Sequence, residues 1–189
     1  MYDRLVFRGS RTSHVKKLRR RAYMKSKTMA VNGVIAALYV AVSILITPFG
    51  FLLIQFRVSE IFNHLIVFNK KYFFGIVTGV FVANLILSPI AVDIFFGVLH
   101  SAIALSITMI SAKFIQNITA RMIVNTIVFS LTMFIIAFQL MFFADIPEYN
   151  GMPFYMIYGT LALSECIVML LGTPIFKLLN KRIDFSKLI

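Results

Sequence analysis

Acidic side chains are scarce in this chain: seven Asp and Glu stand against nineteen Lys and Arg in 189 residues. Cysteine is scarcer still, with Cys166 alone inside an apolar run. A single thiol makes no intramolecular disulfide and no zinc site. The sequence contains no phosphate-binding Gly-Lys-Ser/Thr loop, so this chain does not hydrolyse ATP by that route, and it contains no His-Glu-x-x-His pair. Ser101 follows His100 directly, and adjacent residues on a helix do not face each other. No nucleophile motif supports an intramembrane protease, and the expectation is a protein that is not an enzyme.

What is present in excess is apolar: 60% of the residues are hydrophobic. A soluble domain of this size lacks the polar residues to cover so much apolar surface. Lipid as solvent removes the difficulty, because a spanning helix needs about 20 mostly apolar residues. Hydropathy gives six spans: Thr28–Thr47, Val58–Phe68, Tyr72–Leu87, Val92–Ala112, Met122–Phe143 and Phe154–Phe176. The second is short and leaves Asn63 and His64 near the cytoplasmic surface. The apolar stretch after the basic region is too long for a cleaved signal peptide and lacks a clear cleavage site.

The net charge of +12 is not spread along the chain. Ten Lys and Arg lie between Arg4 and Lys27, ahead of the first apolar stretch. The others, apart from Arg57, fall in the turns after the second and fourth spans or behind the last. The positive-inside rule therefore puts both termini in the cytosol and requires an even number of spans. The basic tail suits anionic lipid head groups rather than nucleic acid. The expected organisation is a basic cytoplasmic tail over 1–27, a six-helix membrane domain over 28–180, and a second basic cytoplasmic tail over 181–189.

Ionisable groups inside a membrane are costly and point to function. Arg57, Glu60, Asn84, Asp93, His100, Gln139 and Glu165 all fall in the outer half or at the midplane of their spans. Glu60, Asn63 and His64 share a face at helical spacing, as do Asp93, Gly97 and His100, and Tyr158 and Glu165. Small residues recur every fourth position at Gly33, Ala37 and Ala41, and again at Gly75, Gly79 and Ala83. Such spacing lets helix backbones approach closely, within the bundle or against a partner.

Three stretches, Ile54-Gln-Phe-Arg-Val-Ser-Glu60, Gly79-Val-Phe-Val-Ala-Asn-Leu85 and Val92-Asp-Ile-Phe-Phe-Gly97, resemble the queuosine-precursor transporter family, usually called QueT. Its members are substrate-binding (S) components of energy-coupling factor (ECF) transporters. Met24-Lys-Ser-Lys-Thr28 with Val34-Ile-Ala-Ala-Leu-Tyr39 resembles the family's start, which makes 1–23 an extension. Ser164-Glu-Cys-Ile-Val168 resembles its last helix. Asn63, His64 and Lys70-Lys71 depart from a more apolar, proline-bearing segment.

The resemblance implies an all-α integral membrane protein of six transmembrane helices in a bacterial plasma membrane, with its site open to the outside. It implies a membrane scaffold (T) subunit and two ATPase subunits as partners, with ATP used by them and no cofactor in this chain. Gly33, Ala37 and Ala41 are then partner-docking residues. The implied ligand is a deazaguanine such as the aminomethyl precursor. A carboxylate accepts two adjacent N–H donors of its guanine-like edge, and an ammonium favours a second carboxylate. The candidate substrate-binding set is Gln55, Arg57, Glu60, Asn84, Asp93, Gln139 and Glu165. Phe49, Phe51 and Phe56 stand where they could cover the ring. The alternatives are an S component for another vitamin, an intramembrane enzyme and a scaffold without a ligand.

Overall fold

The structure is a computed structural model and describes residues 3–46, 57–88, 91–143 and 151–189. All its described secondary structure is helical. The elements are α1 (Asp3–Ile46), a 3-10 segment (Val58–His64) running into α2 (Leu65–Phe68), and a 3-10 turn (Lys70–Tyr72) leading into α3 (Phe73–Leu87). Then come α4 (Val92–Ser111), α5 (Ile118–Thr132), α6 (Phe134–Phe143), α7 (Phe154–Ile183) and α8 (Phe185–Leu188). Among the described residues, five helical stretches are long and apolar enough to cross a membrane, with 58–68 as a shorter apolar segment beside them.

The packing departs from that of a soluble protein in what it buries beside its apolar core and in what it exposes. Glu60, Asn63, His64, His100, Asn125, Gln139 and Glu165 are all buried, while Phe74, Phe95, Phe114, Leu131 and Phe142 are exposed. An apolar exterior around an interior that holds hydrogen-bonded polar groups suits lipid as the outer solvent. The chain is a multi-pass membrane protein.

Three elements differ from the hydropathy reading. The first helix does not begin at Thr28 but extends back through the basic region to Asp3. The fifth span is broken at Met133, whose N–H bonds Ser130 O at 3.3 Å while the Thr132 hydroxyl bonds the Val128 and Phe129 carbonyls. Such back-bonding by threonine bends helices. The chain end also folds back. Asp184 takes a left-handed conformation at φ 46° and closes α7, and Phe185 is buried against Phe68, Tyr72 and Phe176. The Tyr72 hydroxyl donates to Phe185 O at 2.9 Å, and the Asn69 amide donates to Ile189 O at 3.1 Å. Lys187 donates to Asp184 at 2.7 Å and so holds that carboxyl below its ordinary range.

α1 packs chiefly on α3, where Gly75 and Gly79 set the approach. A Cβ at Gly75 would lie 2.7 Å from Asn32 Oδ1, and one at Gly79 would lie 2.8 Å from Tyr39 Cβ. The second small-residue row therefore serves the bundle. The first faces outward: Gly33, Ala37 and Ala41 are exposed, and no atom lies within 4 Å of a Cβ built on Gly33. The 3-10 segment threads between α7 and α1.

Candidate functional site

The 3-10 winding of Val58–His64 decides how its polar residues are aimed. With about three residues per turn, positions i and i+3 eclipse, while i+4 is turned about 120° away. Asn63 accordingly stands over Glu60, and its amide donates to Glu60 Oε2. The Tyr39 hydroxyl on α1 donates to Glu60 Oε1 at 2.8 Å, so both carboxylate oxygens are held. Beside them the Ser43 hydroxyl donates to Ser59 at 2.8 Å.

His64 leaves the face it was expected to share with Glu60. Its Nε2 donates to Met169 O on α7 at 2.7 Å, and its Nδ1 accepts from the Asn125 amide on α5 at 3.4 Å. Asn125 Oδ1 lies 2.7 Å from the Thr108 hydroxyl on α4. This chain of bonds ties the short segment to three helices. Both Asn63 and His64 are fully buried in the bundle.

Arg57, at the head of the segment, lies within electrostatic reach of Tyr39, His100 and Glu165, and Glu165 feels Glu60 as well. Among the described residues of this group, the buried Asn63 Oδ1, His100 Nδ1 and Glu165 Oε1 lack a hydrogen-bond partner. His100 leaves Nδ1 as an acceptor because its Nε2 donates to Phe129 O at 3.3 Å. That carbonyl is freed by the break at Met133. Buried polar atoms are ordinarily paired, so these three, carried by the 3-10 segment, α4 and α7, are open to donors from outside the chain.

The other candidates form a separate group. Asp93 accepts from the Ser88 hydroxyl and from Gln139 Nε2, and the Asn84 amide reaches Asp93 O at 3.4 Å. These bonds tie the α3–α4 connection to α6, and the Asp93 carboxylate already has donors on both oxygens. Gln55, Phe49, Phe51 and Phe56 lie outside the described residues. Tyr39 was not singled out from sequence; its signal is its place in the family-like Val34–Tyr39 stretch. His100 and Asn63 were placed on polar faces but not in the candidate set.

At the basic end, a groove of about 570 Å³ opens between α1 and α3. Gly33 and Ala36 line it with Met29 and Phe74, and Lys25 and Lys71 flank it.

The model for the QueT transporter family matches residues 29–181. The chain is also 33% identical, over 174 residues, to the queuosine precursor transporter QueT of Lactococcus lactis subsp. cremoris (strain MG1363). That alignment covers 86% of this chain and 99% of the relative. No solved structure matches the chain.

Proposed function

The chain belongs to the QueT transporter family, and from that premise we propose that it is the substrate-binding component of an ECF-type importer that captures a deazaguanine precursor of queuosine at the outer face. One observation supports the ligand class above the others. The three unpartnered atoms beside Arg57 and Glu60 are all acceptors. A deazaguanine presents adjacent N–H donors along its guanine-like edge, and a carboxylate accepts two of these at once. A ligand rich in acceptors would leave those atoms unsatisfied at about 1–3 kcal/mol each.

The orientation follows from charge. Every Lys and Arg except Arg57 lies in the N-terminal region, the turns after the second and fourth spans, or the C-terminal end. Both termini are then cytoplasmic, and the Glu60–Glu165 group is reached from outside. Energy comes from partners, a membrane scaffold and two ATPases. The uncovered strip Gly33, Ala37 and Ala41, beside the groove between α1 and α3, supplies the docking face.

The test is a thermal-shift and calorimetric screen of the purified protein against deazaguanines and B vitamins. Deazaguanines should raise the melting temperature and bind saturably, and Glu60→Gln should weaken them by at least tenfold. A vitamin that binds while every deazaguanine fails would replace the ligand assignment.

A further inference from the structure

We propose that the groove between α1 and α3 is a binding site for one anionic phospholipid, with the phosphate held by Lys25 and Lys71 and an acyl chain lying along the apolar walls. The lining of the groove includes neither Glu60 nor Glu165, and the site does not depend on what those two residues bind.

The positive charge at the groove is held in place by hydrogen bonds. Asn32 Nδ2 donates to Lys71 O at 3.0 Å, and the Lys71 N–H donates to Asn69 Oδ1 at 3.1 Å. Both backbone groups of Lys71 are thereby fixed, while its side chain stays exposed at the groove. Gly75 makes room for this arrangement, since a Cβ there would meet Asn32 Oδ1. Lys25 comes from α1, the facing wall. Among the described residues neither groove lysine has a carboxylate partner; the ion pair there joins Lys187 to Asp184. An anion is the missing complement.

The rest of the lining matches a lipid tail. Met29 and Phe74 are exposed on the two walls, and Gly33 leaves open space on the α1 side. From Met24 to Ala36 the lining follows α1 for about 18 Å, at about 1.5 Å per residue. The hydrocarbon of one leaflet is about 15 Å deep, half of the ~30 Å core. The two lysines stand at the end of the bundle where basic residues cluster, and an anionic membrane surface attracts such clusters. Ala37 and Ala41 are not in the lining, so the groove is distinct from that part of the small-residue strip. A soluble anion would use the lysines and leave the apolar walls bare, whereas a phospholipid satisfies both.

The experiment is native mass spectrometry of the full-length protein in mild detergent, titrated with phosphatidylglycerol or phosphatidylcholine. The parent should retain one phosphatidylglycerol saturably and bind it at least about tenfold more tightly than phosphatidylcholine. Lys25→Gln with Lys71→Gln should weaken phosphatidylglycerol about 10- to 30-fold, since each basic group near an anionic surface is worth roughly fivefold. Lys25→Arg with Lys71→Arg should keep the affinity. Arg21→Gln with Lys27→Gln removes the same charge from exposed positions outside the lining and should also keep it. An equal loss in that control pair would make the attraction a diffuse property of the basic tail and overturn the site. Equal binding of the two lipids by the parent would overturn it whether or not the lysine variant folds. Glycerol phosphate displacing the lipid at equal concentration would replace the lipid with a soluble phosphate. A parent that retains no lipid, with a membrane partner protein lost from the Lys→Gln pair, would give the groove to that protein instead.

Discussion

At the scale of single residues, the decisive distinction is between polar groups that are satisfied and those that are not. Asp93 and Glu165 look alike in the sequence, each a lone acid in an apolar helix. The structure gives Asp93 two donors and leaves Glu165 Oε1 open. Tyr39 belongs with the satisfied groups, and its hydroxyl fixes Glu60. Tyr39→Phe removes one buried donor, worth about 0.5–1.5 kcal/mol, and leaves the ring packing in place. Ligand affinity should fall roughly 2- to 12-fold in calorimetry, with the helical circular dichroism unchanged. Full affinity in that variant would mean that Glu60 is oriented without Tyr39. Glu60 and Glu165 stood out in the sequence as candidates because an acid surrounded by apolar residues is costly, and the structure buries both. Tyr39 was not, because a tyrosine sits equally well in a core, at an interface or in a site.

At the scale of elements, backbone winding carries information that residue type does not. Spacing alone put Glu60, Asn63 and His64 on one face, on the assumption of 3.6 residues per turn. The 3-10 winding keeps Asn63 over Glu60 and sends His64 to α7 and α5. It also lengthens the short segment: seven residues at about 2.0 Å and four at about 1.5 Å span roughly 20 Å. Small-residue rows carry a similar ambiguity. Gly33 and Gly79 each sit in a row with fourfold spacing, yet of the two only Gly79 meets a neighbouring helix. Gly79→Ala should force α1 away from α3, costing about 1–3 kcal/mol as overpacking, and should lower the melting temperature in detergent. Gly33→Ala has open space and should hold or raise it, since alanine favours helix over glycine. Equal melting temperatures for the two variants would show that the α1–α3 contact tolerates a methyl group. The long helices were legible because unbroken apolar runs leave few alternatives. The break at Met133 and the fold-back at Asp184 were not, since each depends on a contact with another element.

At the scale of the whole molecule, the bundle divides its labour between an interior that closes around acceptors and an exterior that must meet lipid or a partner. Uptake against a gradient needs energy, and under the proposed function a scaffold and its ATPases provide it. In lipid there is no hydrophobic drive between helices, so a partner must gain from close van der Waals packing. Gly33, Ala37 and Ala41 leave the flank of α1 low enough for such an approach. Ala37→Leu with Ala41→Leu raises that flank by a side-chain width. The two alanines point away from the bundle, whereas Tyr39 between them points in and is buried. The double variant should therefore bind ligand with parental affinity and melt within a few degrees of the parent. It should also lose both uptake in cells and co-purification of the scaffold subunit. Uptake at the parental rate would place the partner on another face, and loss of ligand binding with the scaffold still attached would mean that the strip supports the bundle after all.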